Sequence, residues 1–262
     1  QARAQAGVPL VLGTAVTCGA DSAVDWLVEI TREIAVELGQ TLRIAVLKCN
    51  QDDDVVGTAL RAGKVHPLHP APSIDQGVLD SCTNIVALAG AEQIQAALAT
   101  GADIVIAGRT TDTAIIAALP LQRGCHAGGA WHGAKIGECG ALCATNPQSG
   151  VILVDFDAEG FTITPMATAS RATPHTVSAH MLYENSDPYL LYEPGGHLDV
   201  SGAQYHAIDD RRVRVTGSEW VVADAYTVKL EGARCSGYQT VLMSLLRDPR
   251  YIENAVQWCD DI

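Results

Sequence analysis

Four short apolar runs, separated by stretches with helical periodicity, constrain the fold of this chain more than any other feature. They lie at residues 9–16, 42–47, 84–89 and 102–107. Between the first two, apolar residues recur from Ser22 to Leu38 at close to the 3.6-residue period of a helix. Strands that are apolar throughout and joined by helices are typical of a parallel sheet covered on both faces. The sequence therefore predicts an α/β domain with a mostly parallel sheet and flanking helices over residues 1–150.

The pattern changes after residue 150. Residues 151–166 predict a hairpin that turns at Ala158-Glu159-Gly160. A second hairpin is expected to turn at Asp209-Asp210, because Val213 and Val215 alternate with polar residues as in a half-exposed antiparallel strand. Residues 151–262 are therefore expected to form an α+β region with antiparallel hairpins and helices.

Composition and charge exclude several classes of function. The chain has 17 Lys and Arg against 30 Asp and Glu, a net charge of −13, without the basic cluster that a nucleic-acid binder needs. Its apolar runs are shorter than the roughly 18–20 residues of a membrane span. Eight cysteines without a CxxC pair, and no visible signal peptide, favour reduced thiols in a cytoplasmic protein. Residues 1–6 and 251–262 resemble helices without a start or stop signal, so we expect a fragment of a longer protein.

The loop after the first run is a candidate anion site. Small residues between a strand and a helix let backbone amides approach a negative group at the helix N-terminus. The expected ligand-binding residues are Gly13, Thr14, Thr17 and Gly19. The alternative is an ordinary turn in which Asp21 or Ser22 caps the helix. Cys18, at the same helix start, is a weaker candidate nucleophile because the sequence shows no histidine partner.

The stretch Gly108-Arg109-Thr110-Thr111-Asp112 directly follows the clearest strand. Open α/β sheets bind ligands at the carboxyl ends of their strands. Gly108, Arg109 and Thr110 are therefore expected to bind ligand, with Arg109 holding a carboxylate or phosphate. Asp112 is expected to act as a general base, to hold Arg109, or only to cap the next helix.

A third stretch places His132, Lys135 and Glu138 at intervals of three. On a helix, Lys135 and Glu138 are expected to form an i,i+3 pair, and His132 is expected to titrate near neutrality. These residues are candidate catalytic groups. The alternative is a solvated charged face.

Other stretches carry weaker signals. Glu193 and His197 flank a Pro-Gly-Gly turn, and a structural loop is the favoured interpretation. His66 and His69 are expected to be exposed residues of a proline-rich connector. Lys229 and Glu231 are expected to pair, at a domain interface or in catalysis. The spacing of cysteines and histidines predicts no metal site.

Six blocks of the sequence resemble one known family. They are PLVLGTAVTCGAD (residues 9–21), GADIVIAGRTTDTA (101–114), WHGAKIGECGA (131–141), TPHTVSAHMLYENSDPYLLYEPGG (173–196), DDRRVRVTGS (209–218) and YTVKLEG (226–232). In this order they are similar to the acyclic terpene utilisation (AtuA-type) family. The resemblance implies a role in degrading acyclic terpenes and other branched acids through coenzyme-A thioesters. It supplies no set of catalytic residues and no cofactor other than coenzyme A as part of the substrate.

Together these features predict an enzyme whose partner is a small anionic substrate, a branched carboxylic acid or its acyl-CoA thioester. Hydratase or lyase chemistry fits best, since nothing resembles a dinucleotide fingerprint. The alternatives are a non-catalytic subunit that supports a partner enzyme and a metal-dependent hydrolase. We expect a homo-oligomer that binds neither nucleic acid nor membrane.

Overall fold

The computed structural model describes residues 1–68, 70–71 and 73–261, so His69 of the predicted connector lies outside the described residues. The helices are α1 Ala2–Ala6, α2 Asp21–Glu37, α3 Asp53–Arg61, α4 Gln76–Asp80, α5 Ala91–Ala99, α6 Ala114–Gln122, α7 Ala127–Glu138, α8 Pro174–Ala179, α9 Pro249–Glu253 and α10 Ala255–Asp261. The strands are β1 Leu10–Leu12, β2 Ile44–Leu47, β3 Cys82–Ala87, β4 Ile104–Ala107, β5 Ile152–Phe156, β6 Gly160–Pro165, β7 Leu190–Glu193, β8 Gly196–Asp199, β9 Gln204–Ala207, β10 Val213–Thr216, β11 Glu219–Val222 and β12 Leu230–Arg234.

The first half is built on a parallel sheet. Its strand order is β1-β4-β2, and β4 pairs in parallel with both neighbours. All four residues of β4 are buried, which explains the apolar sequence of this strand. Farther along, Ala89 forms a parallel bridge to Thr110, and β12 pairs antiparallel with β3. The predicted α/β class is confirmed.

The second half contains the predicted antiparallel hairpins. Strands β5 and β6 form the first, and β9 and β10 form the second, in a four-stranded sheet of order β5-β6-β10-β9. A further three-stranded sheet, β11-β8-β7, was not predicted. The largest hydrophobic cluster includes Ala107 and Trp131 as well as Phe161 and Val213, so its side chains come from both sides of residue 150. The boundary there stays a prediction.

Side-chain caps or a glycine define several helix ends. Asp52 accepts a hydrogen bond from the backbone N–H of Asp54 at the start of α3. Thr173 accepts one from the backbone N–H of Thr176 at the start of α8. Gly39, which follows α2, has a φ of +60°, a left-handed conformation that glycine adopts without strain.

Helix α7 is buried along nearly its whole length, and glycines make this burial possible. A Cβ on Gly129 would lie 2.7 Å from the Cα of Gly160, and a Cβ on Gly133 would lie 2.5 Å from the ring of Phe156. A Cβ on Gly128 would overlap the carbonyl oxygen of Ser218. The backbone of α7 therefore packs directly against β6 and the residue before β11.

The sequence misassigned the beginning of this helix. Glycine disfavours helices, so the glycine-rich residues 124–129 predict a loop, and the pattern that follows predicts a helix from Trp131 to Ala144. The helix instead begins at Ala127, and the ring of His126 accepts a hydrogen bond from the backbone N–H of Gly129. The glycines here permit close packing and do not form a loop.

Some other predicted bounds also differ. The sequence pattern predicts a strand over residues 226–231, and the observed strand begins at Leu230. It also predicts a helix over residues 174–184, which ends at Ala179 before a short 3-10 turn. Helix α9 ends before Asn254, so the predicted C-terminal helix is divided. Among the described residues, no helix combines the length and the apolar character that crossing a membrane requires.

We predict that Gly128→Ala lowers the free energy of unfolding by about 1–3 kcal/mol, because the added methyl group overlaps the Ser218 carbonyl and forces the backbone to shift. The matched control is Gly77→Ala in α4, where the nearest atom to a new Cβ is 3.4 Å away. That variant should gain about 0.5–1 kcal/mol from helix propensity. Urea denaturation measures both changes. Equal stability of the two variants would contradict the packing described for α7.

Candidate functional site

The loops that follow β1 and β4 lie against each other at the carboxyl edge of the sheet. Thr14 Oγ1 accepts hydrogen bonds from the backbone N–H of Thr110 at 3.3 Å and from the guanidinium of Arg109 at 3.2 Å. Gly19 has a φ of +65°, and a Cβ there would overlap the backbone of Arg109. A Cβ on Gly13 would lie 3.0 Å from side-chain atoms of both Thr110 and Ile115. The structure thus brings together Gly13, Thr14, Gly19, Gly108, Arg109 and Thr110, whose ligand-binding role stays a prediction.

Arg109 is already held by a carboxylate. Its guanidinium donates to both carboxylate oxygens of Glu231 in β12, at 2.7 and 3.3 Å. Lys229 also pairs with Glu231, at 2.7 Å, as the sequence predicted. Both groups lower the pKa of Glu231 and together outweigh the effect of burial, which is the largest single influence and acts in the opposite direction. The three side chains carry a net charge of +1 at neutral pH, and Glu231, not Asp112, orients Arg109.

The start of α2 is less suited to an anion than the sequence suggested. The N-cap is Ala20, so the expectation that Asp21 or Ser22 caps the helix was wrong. Asp21 lies in the first turn, and its carboxylate accepts hydrogen bonds from the backbone N–H groups of Cys49 and Asn50, each at 3.1 Å. Thr17 is exposed on the preceding loop. A ligand anion at this helix end would meet the negative charge of Asp21.

A second group of polar residues lies at the far end of the loop that follows β4. It consists of Thr111, Asp112, Thr113, Lys135, Glu138 and Glu193, and we name it the acid–base cluster. Lys135 and Glu138 form the predicted i,i+3 ion pair, with side chains only 3% and 10% exposed. The alternative of a solvated charged face was therefore wrong. The energy of an ion pair that is removed from water depends strongly on every other charge close to it.

Glu193 is the most strongly perturbed carboxyl group of the cluster. It ends β7, and the hydroxyl of Thr113 donates a hydrogen bond to its Oε1. Burial raises the pKa of Glu193 to about 7, because the ionised form loses hydration. Hydrogen bonds from Thr111 and Thr113 lower the pKa, and the negative charges of Glu138 and Asp112 raise it. Its Oε2 is buried without a hydrogen-bond partner among the described residues.

Glu138 connects the cluster to a cavity of about 360 Å³. Burial raises the pKa of Glu138 more than its ion pair with Lys135 lowers it, and the charge of Asp112 raises it further. The cavity is lined by Glu138 and Cys139 on one side and by residues 150–152 on the other. Asp112 itself is exposed at the loop, so its charge reaches the buried carboxyl groups from the surface.

His132 does not fit the expectation that it titrates near neutrality. Its side chain is fully buried, and burial lowers its pKa to about 3, with a smaller contribution from His180. The ring Nδ1 lies 2.7 Å from Ser218 Oγ, and Nε2 lies 3.4 Å from the hydroxyl of Tyr205. His132 is therefore a neutral part of the core, and we do not retain it as a proton-transfer group.

His180 was not selected from the sequence, yet it lies close to the cluster. Burial and then the charge of Lys135 lower its pKa to about 4. Its Nε2 is buried without a hydrogen-bond partner among the described residues, and its ring stacks on Tyr183. It adds a neutral imidazole to the surroundings of Lys135.

The loop from Arg109 to Thr113 joins the acid–base cluster to the arginine group, which consists of Arg109, Lys229 and Glu231. Arg109 contacts Glu231, and Thr113 contacts Glu193. Four residues of extended chain span at most about 14 Å, which sets the upper limit for the separation of the two Cα atoms. A single elongated small molecule is long enough to reach both groups.

The sequence carries only a weak signal at Glu193. The only local signal was a carboxylate at the end of the apolar stretch Leu190, Leu191 and Tyr192, just before Pro-Gly-Gly. Its partner Thr113 is 80 residues away along the chain, so no spacing rule connects them. His197, on the other side of the Pro-Gly-Gly turn, lies beside the ring of Tyr192.

The described part of the chain contains no group of three or more His, Cys, Asp or Glu side chains arranged to hold a metal ion. His66 is exposed on the connector after α3, as expected. All eight cysteines are free thiols, and Cys18 is exposed in the loop before α2.

Comparison with known proteins gives one match. The family model described as acyclic terpene utilisation family protein AtuA matches residues 15–261, nearly the whole chain, which confirms the resemblance found in the sequence. No curated protein and no solved structure matches the chain.

The pKa of Glu193 leads to a prediction about stability. Unfolded Glu193 loses its proton near pH 4.5, whereas the folded protein retains it up to about pH 7. Because the folded state binds more protons in this interval, this residue makes the free energy of unfolding fall by about 3 kcal/mol as pH rises from 4.5 to above 7. Glu193→Gln should remove this contribution, so the stability difference between variant and wild type should grow in favour of the variant across the interval.

Urea denaturation of both proteins at pH 5 and pH 8 measures the effect. Titrating groups that are not coupled to Glu193, including His132, contribute equally to both proteins and cancel in the comparison. Glu37→Gln, at the exposed end of α2, is the control and should leave the pH dependence unchanged. A wild-type dependence that persists in Glu193→Gln would show that Glu193 titrates normally.

Proposed function

We infer that this chain, which belongs to the acyclic terpene utilisation family AtuA, is an acid–base enzyme that acts on a branched carboxylic acid or its acyl-CoA thioester. The reaction class that fits best is hydration or dehydration, or cleavage of a carbon–carbon bond. Each of these transfers a proton at a carbon or oxygen atom near a carbonyl group. The observation that supports the proposal is the buried carboxyl group of Glu193 beside the buried Lys135–Glu138 pair.

Glu193 has the properties of a general base. A catalytic group works best when its pKa lies near the working pH, and burial places the pKa of Glu193 at about 7. In the proposed reaction, its unpartnered Oε2 takes a proton from the carbon next to the substrate carbonyl. The hydroxyl groups of Thr111 and Thr113 hold the carboxyl group in place.

Lys135, Glu138 and Asp112 support this proton transfer. Lys135 is the buried cation of the cluster and stabilises negative charge that develops on the substrate. The carboxylates of Glu138 and Asp112 hold the pKa of Glu193 high. Glu138 also lies at the wall of the cavity, which is the proposed route by which small molecules reach the cluster.

The loops after β1 and β4 are the proposed site for the anionic end of the substrate. Arg109 and Lys229 together carry one positive charge more than Glu231 neutralises. Thr14, which also binds Arg109, adds a hydroxyl group at this point. The loop length from Arg109 to Thr113 suits a substrate whose anionic group and reacting carbon are separated by several bonds.

Exchange of hydrogen for deuterium tests the proposal without knowledge of the full reaction. The protein is incubated in D₂O with a set of branched acids and acyl-CoA thioesters, and mass spectrometry measures deuterium at the carbon next to the carbonyl. We expect exchange with at least one substrate, and loss of about 10²–10⁴-fold in its rate in Glu193→Gln, as for removal of a general base. The exposed variant Glu37→Gln should retain the wild-type rate.

Equal exchange rates in Glu193→Gln and wild type would refute the assigned role. Release of free acid from the thioesters that requires an added divalent metal and occurs without exchange at this carbon would favour the metal-dependent hydrolase instead. A third measurement, the affinity of the same substrates for Arg109→Gln, separates binding from proton transfer. That variant should weaken binding while leaving the rate at saturation closer to wild type.

The homo-oligomer expected from the sequence is supported by one observation. Between β12 and α9, large apolar side chains are exposed: Tyr238, Val241, Leu242, Met243 and Leu245 are each at least 79% exposed. Exposed apolar patches of this extent are typical of protein–protein contacts. We propose that this segment, residues 238–246, contacts a second copy of the chain, in line with the expected homo-oligomer.

Light scattering after size-exclusion chromatography tests the contact. Wild type should elute as an oligomer, and the double variant Leu242→Ser/Leu245→Ser should shift toward the monomer. The control Val55→Ser changes an apolar residue of α3 that is 62% exposed outside this segment, and it should leave the mass unchanged. A monomeric wild-type protein would contradict self-association.

A further inference from the structure

A second cavity, of about 290 Å³, lies apart from the acid–base cluster, between the α3–α4 layer and strands β3 and β12. Its walls are mostly aliphatic and include Val56, Leu79, Ile85 and Leu230. The first three of these form a hydrophobic cluster with which Leu230 packs, and that cluster shares no residue with the core around α7. The cavity is therefore a separate apolar compartment.

Arg234 gives this cavity a charged edge. It lines the cavity at the end of β12 and is exposed to solvent on its other side. Among the described residues, none forms an ion pair or a side-chain hydrogen bond with Arg234. This differs from Arg109, Arg212 and Arg214, each of which is held by a carboxylate. An arginine at the rim of an apolar cavity suits a ligand with an aliphatic body and one carboxylate.

Alternate residues of β12 line this cavity. Leu230, Gly232 and Arg234 line it, whereas Glu231 between them points to Arg109. Gly232 leaves space, since a Cβ there would lie 2.9 Å from Cys82 Sγ. The pairing of β12 with β3 skips Thr83 of β3 between Ala233 and Arg234, and Arg234 stays on the same side of β12 as Leu230 and Gly232.

The size of the cavity limits the length of the ligand. At about 30 Å³ per heavy atom, as in liquid water, a volume near 290 Å³ holds about ten non-hydrogen atoms. A linear or branched monocarboxylate of eight carbons has this size. We propose that this cavity is a binding site for an aliphatic monocarboxylate, with its chain among the aliphatic side chains and its carboxylate on Arg234.

Isothermal titration calorimetry tests the proposal with octanoate as the probe, below its micellar concentration. Octan-1-ol and octylammonium have the same chain length with no charge and with the opposite charge. We expect octanoate to bind the wild-type protein. The substitution Arg234→Gln should lower the affinity for octanoate by about tenfold or more, because it removes a charge-assisted hydrogen bond. Octan-1-ol should bind both proteins equally, and octylammonium should bind more weakly than octanoate.

Three variants make the result specific to the cavity. Arg234→Lys should retain part of the octanoate affinity, and Arg247→Gln, at another exposed arginine, should retain all of it. Val78→Phe, which places a ring at the cavity wall, should weaken octanoate and octan-1-ol alike. Unchanged octanoate affinity in Arg234→Gln, or octylammonium binding as tightly as octanoate, would overturn the proposal. These measurements do not depend on enzymatic activity, so their outcome is separate from that of the exchange experiment.

Discussion

The close packing of α7 against the backbone of the antiparallel sheets is the constraint on which the rest of the structure depends. Gly128, Gly129 and Gly133 let the helix approach β6 and the residue before β11 at distances that a side chain would prevent. The helix is thereby removed from water, and so are the polar groups it carries. Lys135 and Glu138 are buried for this reason, and their burial accounts for the perturbed electrostatics around them.

Charge balance unites the two parts of the candidate site. In the acid–base cluster, carboxyl groups outnumber the cation Lys135, so the least hydrated of them, Glu193, holds its proton most strongly. Around Arg109 the balance is reversed, with two cations sharing one carboxylate. One loop, from Gly108 to Thr113, passes from the electropositive part to the electronegative part. This arrangement places the proposed anion-binding region and the proposed proton-transfer region within a short distance of each other.

Local sequence rules predicted the parallel sheet and the meeting of the Gly13 and Gly108 loops, because the carboxyl ends of parallel strands share one edge. They also predicted the Lys135–Glu138 pair, which depends only on helical spacing. They failed where distant segments decide the outcome. Burial raises the pKa of Glu193 in surroundings that include Thr113, which is 80 residues away in the sequence. Burial likewise removes the titration of His132 near neutrality, with the rings of Phe161 and Tyr205 beside its own. Neither environment is encoded in neighbouring residues.

The alternation of β12 has a consequence for how this protein can diverge. Successive side chains of a strand point in opposite directions, so Glu231 belongs to the environment of Arg109 while its neighbours Leu230 and Gly232 belong to the apolar compartment. A single substitution at an odd or an even position of this strand alters one environment and leaves the other chemically intact. The five residues of β12 thus provide two sets of positions that can be substituted independently. Substitutions on one side of the strand change the shape of the apolar compartment without changing the charges around Arg109.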